Sequence, residues 1–245
     1  MGLTNLIEQR VIVLYGKEGR NGKSVLLRLI RTIIGNFTCG KIDKKVIIDS
    51  NVGNEASNGH SAHITNCKGI RLGVVSELPK VFKIGSAFKE FTGGDIMITR
   101  GCGAAKYESI HPTWTTFIDT NYFPVVDPND SASWARLTVI KFDVIFDEDQ
   151  VNKPWTKPLD ANLFEKLITT EKQGILNWML EGAYKYFKEM ETSKNNTIKV
   201  PDSMKLLLDE QRNENSPIAQ FIKDNLVFDQ SIKTKTPSSF LCASY

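Results

Sequence analysis

Several absences narrow the field before any motif is read. The 245 residues include only four cysteines, Cys39, Cys67, Cys102 and Cys242, and no CxxC pair. The three histidines, His60, His63 and His111, have no Cys or acidic neighbour at a metal-like spacing and read as surface or loop residues. A disulfide scaffold and a zinc module are therefore excluded, and a reduced intracellular compartment is expected. No apolar run approaches the ~18 residues of a membrane span. The run at 11–15 follows Glu8 and ends in a glycine-rich turn, unlike a signal peptide. Charge of one sign is also scarce: 31 Lys and Arg against 28 Asp and Glu leave +3. A polyanionic partner would have to be met by a local patch. What is present, 41% hydrophobic residues, suffices for a buried core without staples.

Along the chain, apolar runs alternate with helical patterns. Val11-Ile12-Val13-Leu14-Tyr15 is continuous and β-rich, as in a strand buried on both faces of a parallel sheet. Residues 24–34 carry apolar positions at helical spacing and stop at Gly35-Asn36. Further strands are expected at 45–48, 70–76, 114–120 and 137–142, and a short helix at 85–91. Residues 50–67 are polar and read as a loop or weak helix. A hairpin is expected from 96–100 and 106–110 around a glycine-containing tip. The alternation argues for a three-layer α/β fold with a central, mainly parallel sheet. Pro154 and Pro158 mark a linker after about residue 146, and 162–191 and 201–226 are helical, the latter broken near Pro217. The expected division is a core at 1–150, a C-terminal helical region at 151–228 and a loose tail at 229–245. Trp178 and the apolar positions around it are expected in the core.

The strongest chemical signal lies between the first strand and the first helix: Gly16-Lys17-Glu18-Gly19-Arg20-Asn21-Gly22-Lys23-Ser24. A phosphate cradle needs backbone N–H groups turned inward, glycines where the chain curls, and a helix N-terminus behind them. Lys23 would reach the β- and γ-phosphates of ATP, and the Ser24 hydroxyl would hold Mg²⁺. In G-x-x-x-x-G-K-[ST] the first glycine falls at Lys17, so either the loop carries one extra residue or Gly19 makes the curl. The expected nucleotide-binding residues are Gly16, Gly19, Arg20, Asn21, Gly22, Lys23, Ser24 and Val25.

Downstream motifs narrow the class. Asn21-Gly22-Lys23-Ser24 resembles the N-G-K-S form of superfamily 3 helicases. The stretch 68–77, ending Val75-Ser76-Glu77, resembles the second ATPase motif of the poxvirus-type and phage/plasmid primase-helicases. Lys89-Glu90-Phe91-Thr92-Gly93-Gly94-Asp95 with Arg100 resembles their K-x-x-T-G-G-D…R stretch. Asp119-Thr120-Asn121-Tyr122-Phe123-Pro124 resembles their T-N-x-x-P sensor, and Asp130…Trp134-Ala135-Arg136-Leu137…Phe142 their D…W-R-R…F element. Gly174-Ile175-Leu176-Asn177-Trp178 resembles the start of their helical C-terminal region.

This resemblance implies an AAA+-like P-loop ATPase that couples ATP hydrolysis, with Mg²⁺, to translocation on single-stranded DNA at a replication fork as a homo-hexamer. It implies a setting in the host cytoplasm or a viral replication compartment. Lys23, Glu77 and Asn121 would be catalytic on one side of a subunit boundary. Glu77 would polarise water and help hold Mg²⁺ with Ser24, and Asn121 would orient water. Arg136 would reach in from the neighbour; Ala135 stands where relatives have a first arginine. Arg100, Lys106 and Tyr107 on the hairpin would meet DNA, and Lys89 would face phosphate. Relatives carry an N-terminal primase-related region and a collar, whereas Met1 lies about ten residues before the first strand. A separate primase or collar-bearing chain is therefore an expected partner. The competing readings are a non-unwinding, nucleotide- or DNA-binding remnant and another P-loop enzyme such as a nucleotide kinase.

Overall fold

A computed structural model describes residues 9–48, 64–85, 87–100, 106–148, 153–193, 199–216 and 221. Its elements in chain order are β1 (Val11–Tyr15), α1 (Lys23–Ile34), β2 (Cys39–Lys41), β3 (Leu72–Val75), α2 (Ala87–Gly93), β4 (Met97–Thr99) and β5 (Glu108–Ile110). Then come β6 (Thr115–Thr120), α3 (Ser131–Arg136), β7 (Leu137–Lys141), β8 (Ile145–Asp147) and β9 (Thr156–Pro158). Three helices follow: α4 (Leu163–Thr170), α5 (Lys172–Thr192) and α6 (Asp202–Glu214).

Five strands form one parallel sheet in the order β2-β3-β6-β1-β7. β1 lies between β6 and β7 inside the sheet, and successive side chains that point to opposite faces are nearly all buried, which is why its sequence is apolar throughout. Val11, Val13, Val75, Ile118 and Val139 are fully buried, and Phe88, Phe91 and Trp114 extend the same core. Parallel pairing requires a crossover between strands, and α1 supplies the first one. The expected α/β class, a mainly parallel sheet flanked by helices, is what the chain adopts.

Three local expectations give way. Residues 45–48 form no strand: Lys44–Val46 make a 3₁₀ turn whose preceding Asp43 accepts the Lys45 N–H at 2.9 Å. That aspartate turn overrides the β-propensity of Val46, Ile47 and Ile48. The edge strand is instead Cys39–Lys41, which pairs only with β3 and is too short and polar to show an alternation. The stretch around Pro154 and Pro158 is not a bare linker, since Thr156–Pro158 pair in parallel with Ile145–Asp147. Trp178 is 64% exposed, and α5 has no buried residue among those described. Helical spacing marked a stripe to be covered, but the described residues bring only α4 to this helix with more than a passing contact. The hairpin forms as β4 and β5, shorter than expected. Residues 50–63, His60, His63, Cys102, Pro217 and the tail at 229–245 lie outside the described residues.

Candidate nucleotide site

A cleft of about 750 Å³ opens where β1, β3 and β6 end, the edge at which open parallel sheets place their ligands. Gly19, Arg20, Asn21, Gly22, Lys23 and Ser24 form one wall. Ser76 and Glu77 follow β3 into it, and Asp119, Thr120 and Asn121 come from the end of β6. Arg28, Arg31 and Lys41 extend the wall between α1 and β2.

The loop's shape answers the question its spacing posed. Left-handed conformations fall at Arg20 (φ 59°) and Gly22 (φ 85°), not at Gly19. Gly22 opens α1 as its N-cap. Gly16 is required for space instead: a Cβ there would stand 2.7 Å from Asn21 Nδ2 and 2.9 Å from the Phe142 carbonyl oxygen. Asn21 folds back over Gly16, and its Nδ2 donates to the Phe142 oxygen at 3.4 Å. The chain after β7 braces the loop further, with Phe146 N–H donating to the Arg20 carbonyl at 2.9 Å and Asp147 pairing Arg20 at 3.2 Å.

Lys23 lies at the centre, 5% exposed. Its Nζ donates to Asn21 Oδ1 at 2.7 Å and to Asn121 Oδ1 at 2.8 Å. Burial lowers the pKa of this amine, and Asp119, 4.0 Å away, works in the opposite direction. An ammonium has three N–H donors, and two neutral amides compensate poorly for the water it has lost. Such a group is primed for an anion. Ser24 Oγ donates to Asp119 Oδ2 at 2.8 Å. Thr120 folds its hydroxyl onto the Tyr122 backbone, accepting from its N–H at 3.0 Å, and so turns Asn121 out of the strand toward Lys23.

Glu77 occupies a left-handed conformation (φ 60°), uncommon for a non-glycine residue and a feature that clusters at functional sites. Lys44 Nζ donates to its carbonyl oxygen at 3.2 Å, and Lys41 pairs with its carboxylate at 3.1 Å. Its side chain is 77% exposed, at the rim of the cleft.

Lys23, Ser24, Glu77 and Asn121 thus share one cleft. Gly16 packs against Asn21 and the Phe142 carbonyl, and neither it nor Val25 lines the cleft. Arg136 is elsewhere. It precedes Leu137, the partner of Val11, so β1's length of roughly 13 Å separates it from the loop. Arg136 Nη1 donates to the Ala132 carbonyl at 2.9 Å and Nη2 to Gln9 Oε1 at 3.0 Å, while Gln9 Nε2 donates to the Gly93 carbonyl at 2.9 Å. Lys89 does not face the cleft; it pairs with Asp130 at 2.8 Å, and Asp130 caps α3 through the Ser133 N–H. On the hairpin, the Arg100 guanidinium lies 5.8 Å from the Tyr107 ring centre, and Tyr107 and Lys106 are exposed. Asp119 had no role in the sequence reading. Its place at the end of β6, two residues before Asn121, was the signal that could have found it.

No family model and no curated protein matches the sequence. Solved structures do. The apo structure of the NrS-1 C-terminal region (305–718) superposes with a TM-score of 0.50 at 13% identity, over 91% of this chain and 52% of that one. Two A-form apo structures of the same region give TM-scores of 0.48 at 13% and 14% identity, over 91% and 92% of this chain and 52% of theirs. The likeness is one of fold, and the chain spans about half the length of the structures it matches. No described helix is long and apolar enough to cross a membrane.

Proposed function

We propose that this chain is the ATP-hydrolysing motor of a superfamily 3-type DNA helicase. The observation that carries the reading is the buried Lys23 ammonium, held by Asn21 and Asn121 in a cleft built from one glycine-turned loop and two strand ends. A triphosphate would displace the two amide oxygens and return a full anionic partner to the lysine. The backbone N–H groups at the start of α1 add to the attraction. Mg²⁺ fits this chemistry, because the Ser24 hydroxyl offers a hard oxygen beside the phosphate position; when bound it would neutralise developing charge. Asn121, freed from Lys23, would orient the attacking water, and Glu77 would accept its proton once released from Lys41.

Arg136 lies too far from its own cleft to serve it, so in this reading it acts on a neighbouring copy in a homo-hexamer after leaving Gln9. Arg100, Lys106 and Tyr107 would track one DNA strand, the cations on phosphate and the ring on a base. A separate primase or collar-bearing chain would complete the machine. The experiment is ATP hydrolysis with and without single-stranded DNA, with assembly followed by mass photometry. Stimulation by DNA, a higher oligomer and loss of activity in Lys23→Ala are expected; a monomer indifferent to both ligands would refute the motor. One observation favours the alternative of a non-unwinding binder: Glu77 is tied to Lys41. That reading predicts nucleotide binding without turnover.

A further inference from the structure

We infer that Asp119, on β6, is the carboxylate that together with Ser24 holds the divalent cation of a bound nucleoside triphosphate. The inference rests on the reading of the cleft as a triphosphate site and assigns a residue which that reading left without a role.

Three observations converge. Ser24 Oγ and Asp119 Oδ2 are 2.8 Å apart. An octahedral Mg²⁺ with oxygens at about 2.1 Å sets adjacent ligand oxygens about 3.0 Å apart, so this pair already has the spacing of one edge of the octahedron. Second, β3 brings no carboxylate to that point. Continuing the Val75–Ile118 pairing by one residue puts Ser76, a neutral hydroxyl, beside Asp119 on the adjacent strand. The next residue, Glu77, turns away through its left-handed backbone to Lys41. Third, Asp119 Oδ1 stands 4.0 Å from Lys23 Nζ, so the carboxylate lies next to the place where phosphate oxygens must arrive. Among the described residues no cluster of three or more His, Cys, Asp or Glu could hold a metal alone. That suits a cation that arrives with the nucleotide and takes most of its ligands from phosphate and water, as Mg²⁺ does.

The division of labour follows from position. Asp119, partly buried between strands, is placed to bind the cation, and Glu77, exposed at the rim and paired with Lys41, takes no part in holding it. The Ser24 hydroxyl proton lies on the edge that the cation would take.

Isothermal titration of the whole chain with a non-hydrolysable ATP analogue, with and without Mg²⁺, tests this without requiring turnover. In the wild type Mg²⁺ should tighten binding at least tenfold. Asp119→Asn should lose that tightening, and Glu77→Gln should lose less of it than Asp119→Asn. Mg²⁺-tightened binding in Asp119→Asn, or an equal or greater loss in Glu77→Gln, overturns the assignment. Wild-type protein that binds the analogue under neither condition refutes the triphosphate site itself, and this assignment with it. A measurement on the unmodified chain covers the case in which Asp119→Asn does not fold. Fe²⁺ in place of Mg²⁺, with ascorbate and peroxide, should cut the backbone near residues 24 and 119 in the presence of ADP; cutting at 77 and not at 119 overturns the assignment.

Discussion

Three glycines of the loop between β1 and α1 make different physical demands, so alanine at each gives a ranked prediction. At Gly16 the added Cβ would sit 2.7 Å from Asn21 Nδ2 and 2.9 Å from both Asn21 Cγ and the Phe142 carbonyl oxygen. The oxygen belongs to backbone and cannot swing aside, and Asn21 can move only by giving up Lys23 and Phe142. Overpacking of this kind costs about 1–3 kcal/mol, which for a chain of this length lowers Tm by roughly 2–12 °C. At Gly22 there is room, since the nearest atom is Phe146 Cε2 at 3.6 Å, but φ is 85°. A left-handed alanine costs about 1–2 kcal/mol. At Gly19 nothing lies within 4 Å and the backbone is not left-handed. Alanine there should be neutral or stabilising by up to about 1 kcal/mol, through a less free unfolded chain. Calorimetry should rank the losses Gly16→Ala, then Gly22→Ala, with Gly19→Ala near zero. Nucleotide binding should fail in Gly16→Ala, because Asn21 is displaced from Lys23. A Gly19→Ala variant as damaged as Gly16→Ala would refute the account of how this loop is built.

Trp178→Ala should change stability by less than about 0.5 kcal/mol because the ring is exposed, whereas Trp114→Ala, at a core position, should cost about 3–5 kcal/mol; urea denaturation separates the two. Asp130→Ala should cost about 1 kcal/mol as a lost helix cap. Lys89 and Ser133 hold the folded pKa of Asp130 below its ordinary value, so its contribution is present above the unfolded pKa and is lost as pH falls through the folded one. Acid titration of wild type against variant reads that difference. For Lys23 the slope has the same sign in a different pH window: burial depresses the amine's folded pKa, so the unfolded chain holds its proton longer. Wild-type stability relative to Lys23→Met should therefore rise as pH climbs from the folded pKa toward 10.5, as read by urea denaturation at stepped pH.

What was legible in the sequence was whatever a single stretch encodes. β1 is apolar because it is central, α1 has helical spacing because Leu27 and Leu29 are buried while other positions face outward, and the loop between them carries its glycines and Lys23 in one run. Asn121 was legible because Thr120, Asn121 and Pro124 carry the T-N-x-x-P resemblance in one short stretch. What escaped depends on partners far along the chain. Asp119 acquires meaning from Ser24, 95 residues earlier, and Arg136 from Gln9, 127 residues earlier. β2 is defined by its partner β3, not by its own three residues. The apolar stripe of α5 stated only that a cover is wanted, and Trp178 shows that the described residues of this chain do not supply it.

The central claim is that the loop from Gly16 to Ser24 wraps a triphosphate around Lys23. The direct measurement is the affinity of wild type and Lys23→Met for a non-hydrolysable ATP analogue with Mg²⁺. Loss of a buried charged partner costs roughly 2 kcal/mol or more, so the variant should bind at least about 30-fold more weakly while remaining folded. Equal affinity in the two proteins, or no binding by the wild type, would contradict the account.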